Sequence, residues 1–465
     1  MSLERAAAAC VFPGFVGAEA PDWLRRWLGR GLGGVVVFAR NVRSPEQIRQ
    51  LTATLRTEQQ HVVIAVDEEG GDVTRLEADR GSSYPGALAL GAADDVALTE
   101  AVAGAIAIDL ARCGLSMNLA PVADVNTNAR NPVIGVRSFG SDPALVARHV
   151  AAFVRGTQRQ GVAACAKHFP GHGDTTVDSH LELPVVDGEL VLDPFREAIS
   201  AGVRAVMTGH LRVPQLDPDE PATLSRRIIV DLLRRELGFD GLVITDALEM
   251  RAISGRLGLG EAAARALAAG ADAVCLGADI DERHVSEVHD AIVTGVRSGR
   301  LDEERVAEAA ARVETLAAWA RPHVEHVDDN AVRAAASRAL RAEGDVRVDG
   351  APVVVEPAAA PTIAAGPAGY GFGDAARRVW PDALICGDGF SATNGRPIVL
   401  VLRDAARRPK QQAVARELIA RRPDTVVVET GFPGWRPERA RGYIVTHGAA
   451  RVNLDAAVAL LSGTS

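Results

Sequence analysis

Eight short apolar runs, lacking the polar alternation of a half-exposed sheet, constrain this chain more than any other feature. They lie at residues 11–16, 34–39, 62–67, 116–121, 162–167, 205–208, 242–245 and 273–276. Strands apolar at successive positions have both faces covered, as in a parallel sheet wrapped by helices. The stretches between them, at 45–60, 98–112, 143–160, 193–201 and 226–237, carry apolar residues at spacings of three and four and predict helices. Ser44, Pro45 and Glu46 read in order as N-cap, first-turn proline and first-turn acid. Eight strands alternating with helices predict an α/β fold, a (β/α)8 TIM-like barrel over 1–325. An open doubly wound sheet is the other arrangement this rhythm allows.

The polar clusters favour the barrel. Asp67-Glu68-Glu69-Gly70-Gly71, the stretch 124–137, the stretch 167–180, His210 and Asp246 all fall just beyond strand ends. In a barrel those positions converge on one face, where active sites sit. Beyond 325 a helical or linker region is expected over 326–373, where the Pro-, Ala- and Gly-rich run 344–373 reads as a linker or as an irregular element of a second domain. The strand–helix rhythm resumes near 397, with strands at 398–402, 425–428 and 443–446 and helices at 409–421 and 453–461. A smaller, shortened α/β domain over 374–465 follows from it.

With 51 Lys and Arg against 60 Asp and Glu, the net charge of −9 argues against a broad nucleic-acid footprint. Five scattered cysteines, at 10, 113, 165, 275 and 386, form neither a disulfide framework nor a zinc pattern. No apolar run reaches membrane-spanning length, and the N-terminus lacks the charge pattern of a signal peptide, so no membrane association and a cytoplasmic location are expected. Neither a GxGxxG turn nor a phosphate-binding loop is present, and no cofactor is expected.

The densest chemical signal runs from Lys167 to His180: three histidines, a lysine and two aspartates within 14 residues, opening at the end of an apolar strand. Lys167 is one of only two lysines in a chain that otherwise uses arginine. The cluster reads as a metal site, as a solvated loop, or as acid/base machinery in which Asp178 orients His180 and raises its basicity. Asp246, just past an apolar strand, is either a helix cap or a carboxylate aimed into the barrel mouth. A carboxylate and a proton donor on opposite sides of a bond are the minimum for glycosidic cleavage. Asp67 reads as a turn residue or a holder of sugar hydroxyls, and Arg137 as a salt-bridge partner or a fork of donors for a polar substrate.

These segments resemble glycoside hydrolase family 3, in its bacterial β-N-acetylglucosaminidase branch. The resemblance rests on GGVVVFARN (33–41), IAVDEEGGDVTRL (64–76), NLAPVADVNTN (118–128), NPVIGVRSFG (131–140), KHFPGHGDTTVDSHLELP (167–184), VMTGHLRVP (206–214) and VITDALEM (243–250). It implies Asp246 as the nucleophile of a retaining mechanism, with His180 as general acid and then base and Asp178 as its partner. It also implies Asp67, Arg137, Lys167 and His168 as residues gripping the non-reducing N-acetylglucosamine, with Arg75 as a further pocket position. His172 is implied to be structural, and His210 lies near the site without a role.

The chain departs from its relatives at Thr245-Asp246-Ala247-Leu248, where many have Ser-Asp-Asp-Leu. The first aspartate is kept and one hydrogen-bonding side chain is lost. The function implied is exo-hydrolysis of terminal β-linked N-acetylglucosamine from small saccharides, such as muropeptides or chitin fragments. Phosphorolysis through the same intermediate, a metal-dependent hydrolase and a non-catalytic sugar-binding module are the alternatives.

Overall fold

The structure is a computed structural model that describes every residue except 176, 180, 329, 360–361, 367–368, 388–394 and 465. Eight strands occupy the expected runs: β1 Val11–Pro13, β2 Gly34–Val37, β3 Val63–Val66, β4 Met117–Asn118, β5 Ala163–Phe169, β6 Ala205–Thr208, β7 Leu242–Thr245 and β8 Val274–Leu276. Strands β2 to β7 form one parallel sheet in sequence order, and β1 pairs with β8. A bridge from Ile244 to Ala273 links β7 to the start of β8. No ladder joins β1 to β2 among the described residues. This is a (β/α)8-type arrangement, with the strands in barrel order.

Strand side chains alternate between two buried environments, which is why the sequence shows no polar alternation. Val36, Val63, Ala65, Ala163, Ala205, Leu242 and Ile244 face an inner core, whereas Val35, Val37, Ile64, Val66, Val206 and Val243 pack outward against helices. Val313 and Leu316, from the helix Glu303–Trp319, add to the inner core. The helix Pro45–Glu58 begins as expected, with Ser44 Oγ accepting from Gln47 N at 3.2 Å. The segment Arg227–Glu236, expected as an ordinary helix, is wound as a π-helix.

A second six-stranded sheet follows, in the order β11-β10-β12-β13-β14-β9. Its strands are β9 Arg341–Gly344, β10 Val353–Val355, β11 Leu384–Cys386, β12 Ile398–Leu402, β13 Val426–Glu429 and β14 Gly442–Val445. All neighbours are parallel except the edge pair β14–β9. One face packs on the helices Phe372–Val379 and Arg451–Ser462, the other on Pro409–Arg421. Residues 341–355, which fall in the stretch expected as helix or linker, thus contribute two strands. Val353, Val354 and Val355 are too few to reveal a strand by pattern, and β10 is recognisable only because β11 and β12 pair on either side of it.

The two parts are fastened by polar contacts. Arg403 pairs with Asp72 at 2.5 Å, Ala449 N donates to the other Asp72 oxygen at 2.8 Å, and Arg451 reaches Glu77 at 3.3 Å. No helix among the described residues is long and apolar enough to cross a membrane.

Candidate active site

A cavity of about 520 Å³ opens at the C-terminal ends of the barrel strands. It gathers Asp67, Arg75, Arg137, Lys167, His168 and Asp246, six of the eight residues singled out in the sequence. Asp178 lies in the adjoining loop, next to the cavity-lining Ser179. His180 lies outside the described residues. Val36, Leu119, Met207 and Cys275 line the cavity from the inner-core side, and Ile363 to Gly366 line it from the second domain.

The basic residues are organised by carboxylates. Lys167 Nζ, at the end of β5, sits 2.7 Å from both Asp67 Oδ1 and Glu69 Oε1. Arg137 donates to Glu69 through two bonds, Nη2 to Oε1 at 2.7 Å and Nε to Oε2 at 2.9 Å. Such a bidentate fork fixes the guanidinium plane as well as its charge. Arg75 Nη2 stands 3.7 Å from Asp67 Oδ2 and donates to the Ala364 carbonyl at 2.9 Å, which ties the second-domain segment to the cavity wall.

Burial raises the Glu69 carboxyl, but Arg137 and Lys167 outweigh it and hold Glu69 well below the usual carboxylate range. Burial likewise opposes the charge on Lys167, and Asp67 and Glu69 overcome it, so the ammonium is held more firmly than usual. The neighbouring Glu68 feels the cation Arg75 less than it feels its hydrogen bonds. Burial pushes it up to about 7, against bonds from the backbone of Leu76 and Arg75. Gly70 and Gly71, at φ 75° and 62°, make this turn possible, and a Cβ on Gly71 would lie 2.5 Å from Gly86 Cα.

Asp124, fully buried, organises the histidines. Its Oδ2 lies 2.7 Å from His168 Nδ1, and its Oδ1 accepts from His172 N at 2.6 Å. The carboxylate fixes the His168 tautomer. His172 Nδ1 lies 2.6 Å from Thr175 Oγ1, which itself donates to the His172 carbonyl, so Nδ1 carries the hydrogen. His172 Nε2 then accepts from Ser179 Oγ at 3.1 Å. Burial drops the His172 pKa to about 4, in agreement with a neutral ring.

That depressed pKa has a consequence for stability. Below pH 6.5 an unfolded His172 takes up a proton while the folded ring resists until about pH 4. Stability is therefore intact above 6.5 and falls by up to about 3 kcal/mol through this ring as pH drops towards 4. Urea unfolding at pH 6.5 and 4 should show a smaller acid loss in His172→Gln than in the parent. Equal losses would refute the neutral-ring assignment.

Asp246 follows β7 directly, with its amide donating to the Thr208 carbonyl at 3.1 Å. Its Oδ1 accepts from Ala247 N at 2.8 Å. His210 holds the same turn, Nε2 donating to the Ala247 carbonyl at 3.0 Å, which supplies the role the sequence left open. Sequence reasoning assigned no role to Glu69, Asp124 or Glu249. All three stand inside the quoted motifs, yet the importance of Glu69 and Asp124 depends on partners 44 to 98 positions away. Glu249 lines the cavity and lies against Gly277, where a Cβ would be 1.5 Å from its Oε1. Among the described residues no group of three His, Cys, Asp or Glu side chains is placed to hold a metal ion.

The profile of the glycosyl hydrolase family 3 N-terminal domain matches residues 18–316. Beta-hexosaminidase A of Pseudoalteromonas piscicida is 37% identical over 321 residues, covering 61% of this chain and 53% of that protein, so the match spans about half of that relative. Beta-hexosaminidase of Chromobacterium violaceum is 38% identical over 288 residues, covering 59% and 79%. A solved family 3 β-N-acetylglucosaminidase from Paenibacillus sp. str. FPU-7 superposes with a TM-score of 0.89 at 33% identity, covering 100% of this chain and 97% of that one. A (β/α)8-type barrel followed by a small α/β domain is shared with that structure along the whole chain, and the protein belongs to glycoside hydrolase family 3, in its β-N-acetylhexosaminidase branch, and is a glycoside hydrolase.

Proposed function

We propose that the protein is a retaining exo-β-N-acetylglucosaminidase acting on small saccharides such as muropeptides or chitin fragments. The observation that carries this reading is the single cavity joining Asp246 to the Asp67, Arg137, Lys167 and His168 cluster. Fixed carboxylates and cations side by side offer acceptors and donors to the hydroxyls of one sugar ring. The inner-core residues at the cavity's base suit a chain end rather than a chain passing through.

In the first step the Asp246 carboxylate attacks the anomeric carbon as the bond to the leaving oxygen breaks, and His180 gives that oxygen its proton. In the second step His180 takes a proton from water, whose oxygen attacks the same carbon and releases Asp246. Two inversions preserve the β configuration. Asp178 stabilises the imidazolium that His180 is before the first step and becomes again after the second.

Water is the favoured acceptor. Each Arg or Lys lining the cavity, among the described residues, already pairs with a carboxylate: Arg40 with Asp279, Arg75 with Asp67, Arg137 with Glu69, Lys167 with both Asp67 and Glu69. Asp246 and Glu249 add further negative groups to the wall, which disfavours a phosphate dianion.

The test uses nitrophenyl β-glycosides of N-acetylglucosamine and glucose, with and without phosphate, and identifies products by mass. Free N-acetylglucosamine regardless of phosphate, with little glucose, is expected. Sugar 1-phosphate as the main product would make the enzyme a phosphorylase, and no turnover would leave a binding module. In His180→Ala, loss should be about 10²-fold or more on a disaccharide and small on an activated aryl glycoside. Equal losses on both would remove His180 from the acid/base role.

A further inference from the structure

One side chain of the second domain, Arg407, reaches the barrel loop that carries Asn131. Arg407 ends the 3-10 turn Ala405–Arg407 after β12, and its Nη1 donates to the carbonyl oxygen of Asn131 in the barrel. The turn is rigidly built. Buried Glu429 accepts from Asp404 N at 2.8 Å and Ala405 N at 3.2 Å, Asp404 adopts a left-handed φ of 54°, and Asp404 Oδ2 pairs with Arg407 at 2.9 Å.

Asn131 passes this fixed point onward. Its Oδ1 accepts from Val133 N at 2.9 Å and Ile134 N at 2.8 Å, and its Nδ2 donates to the His172 carbonyl at 2.8 Å. Nδ2 also lies 3.3 Å from Thr175 Oγ1, the hydroxyl that receives the His172 ring. The other ring nitrogen accepts from Ser179 Oγ, and the Ser179 carbonyl accepts from Ala252 N at 3.4 Å. Ser179 stands between Asp178 and His180. Arg407, Asn131, His172 and Ser179 therefore form a continuous series of hydrogen bonds, whose interior members Asn131, His172 and Ser179 are all buried.

We propose that Arg407 is a positioning residue for the acid/base segment Asp178-Ser179-His180, acting through Asn131 and His172. The proposal rests on the reading of Asp178 and His180 as the acid/base pair. It gives the second domain a part in protonating the leaving group without placing any of its side chains on the reacting atoms. The same arginine lies near Gly135, in the turn that carries Arg137, so an effect on sugar holding has to be told apart from one on proton transfer.

Leaving-group dependence separates them. In the full-length protein, Arg407→Ala should lower kcat on N,N′-diacetylchitobiose about tenfold and on a dinitrophenyl glycoside less than about twofold, with KM nearly unchanged. Arg407→Lys, which keeps a donor, should recover most of the loss. Arg407→Met, which keeps the aliphatic packing without a donor, serves if the alanine variant unfolds. Arg403→Ala, which breaks the interdomain ion pair with Asp72, should leave the leaving-group dependence as in the parent. An equal fall on both substrates, a change in KM alone, or the same selectivity in Arg403→Ala overturns the proposal. His180→Ala runs beside these. If it is leaving-group selective and Arg407→Ala is not, the relay fails while the acid/base reading stands. If neither is selective, the acid/base reading fails and takes the relay with it.

Discussion

Asp246→Asn is expected to reduce turnover by at least about 10³-fold on every β-N-acetylglucosaminide, activated or not, because an amide neither attacks the anomeric carbon nor stabilises the charge developing there. This differs from the His180 variant, whose loss depends on the leaving group. The surroundings of Asp246 support a clean substitution. Its Oδ1 accepts from Ala247 N, a bond that an amide oxygen also makes, and the turn is held independently by His210 on the Ala247 carbonyl. The variant should fold like the parent and retain substrate binding. In Asp246→Gly, added azide should restore cleavage of an activated glycoside and yield the α-glycosyl azide, since azide enters from the side the carboxylate occupied. Steady-state rates and the anomeric configuration of the azide adduct are the measurements. Residual activity close to that of the parent would move the nucleophile elsewhere.

Glu69→Gln should have the second-largest effect, although Glu69 does no chemistry. Glu69 is 6% exposed and faces two cations that are buried as well, Arg137 at 8% and Lys167 at 2%. Removing its charge leaves those cations with less compensation in a low-dielectric site, a change worth about 3–5 kcal/mol of stability when a buried partner is removed. Arg137 also loses one arm of its fork, and Lys167 is left to Asp67. Thermal unfolding should shift downward, and kcat/KM should fall by about 10²-fold, with KM taking a large share. Because Glu69 is held well below its ordinary value of 4.5, its stabilising contribution is complete above that pH and is lost only in strongly acid solution. A variant as stable as the parent near neutral pH would show that the network is not an energetic keystone.

The strands and most barrel helices were legible because their cause is local. Runs such as GVVV and LVIT are apolar on both faces, and a strand apolar on both faces has few alternatives. Asp67, Lys167, His168 and Asp246 were legible because polar residues at or just beyond the ends of apolar strands have one shared destination. Glu69 and Asp124 were harder. Nothing beside Glu69 in sequence announces Arg137 and Lys167 as its partners, and Asp124 shows its role only where His168 and His172 fold onto it. The residues of β9 and β10 were read as helix or linker because Arg341–Gly344 is wholly exposed and β10 is three residues long. The π-winding of Arg227–Glu236 leaves the same apolar spacing as an α-helix over so short a span, so periodicity did not separate them. The contact of Arg407 with Asn131, across 276 positions, has no sequence signature at all.

The central claim is a covalent glycosyl-enzyme on Asp246, and trapping that intermediate tests it most directly. The intact protein is incubated with 5-fluoro-N-acetylglucosaminyl fluoride, digested, and its peptides mapped by mass. One equivalent of the fluorosugar on the peptide containing Asp246, absent from Asp246→Asn, is the predicted result. A labelled peptide elsewhere, or steady turnover of the fluoride with no adduct and inversion at the anomeric carbon, would contradict the account.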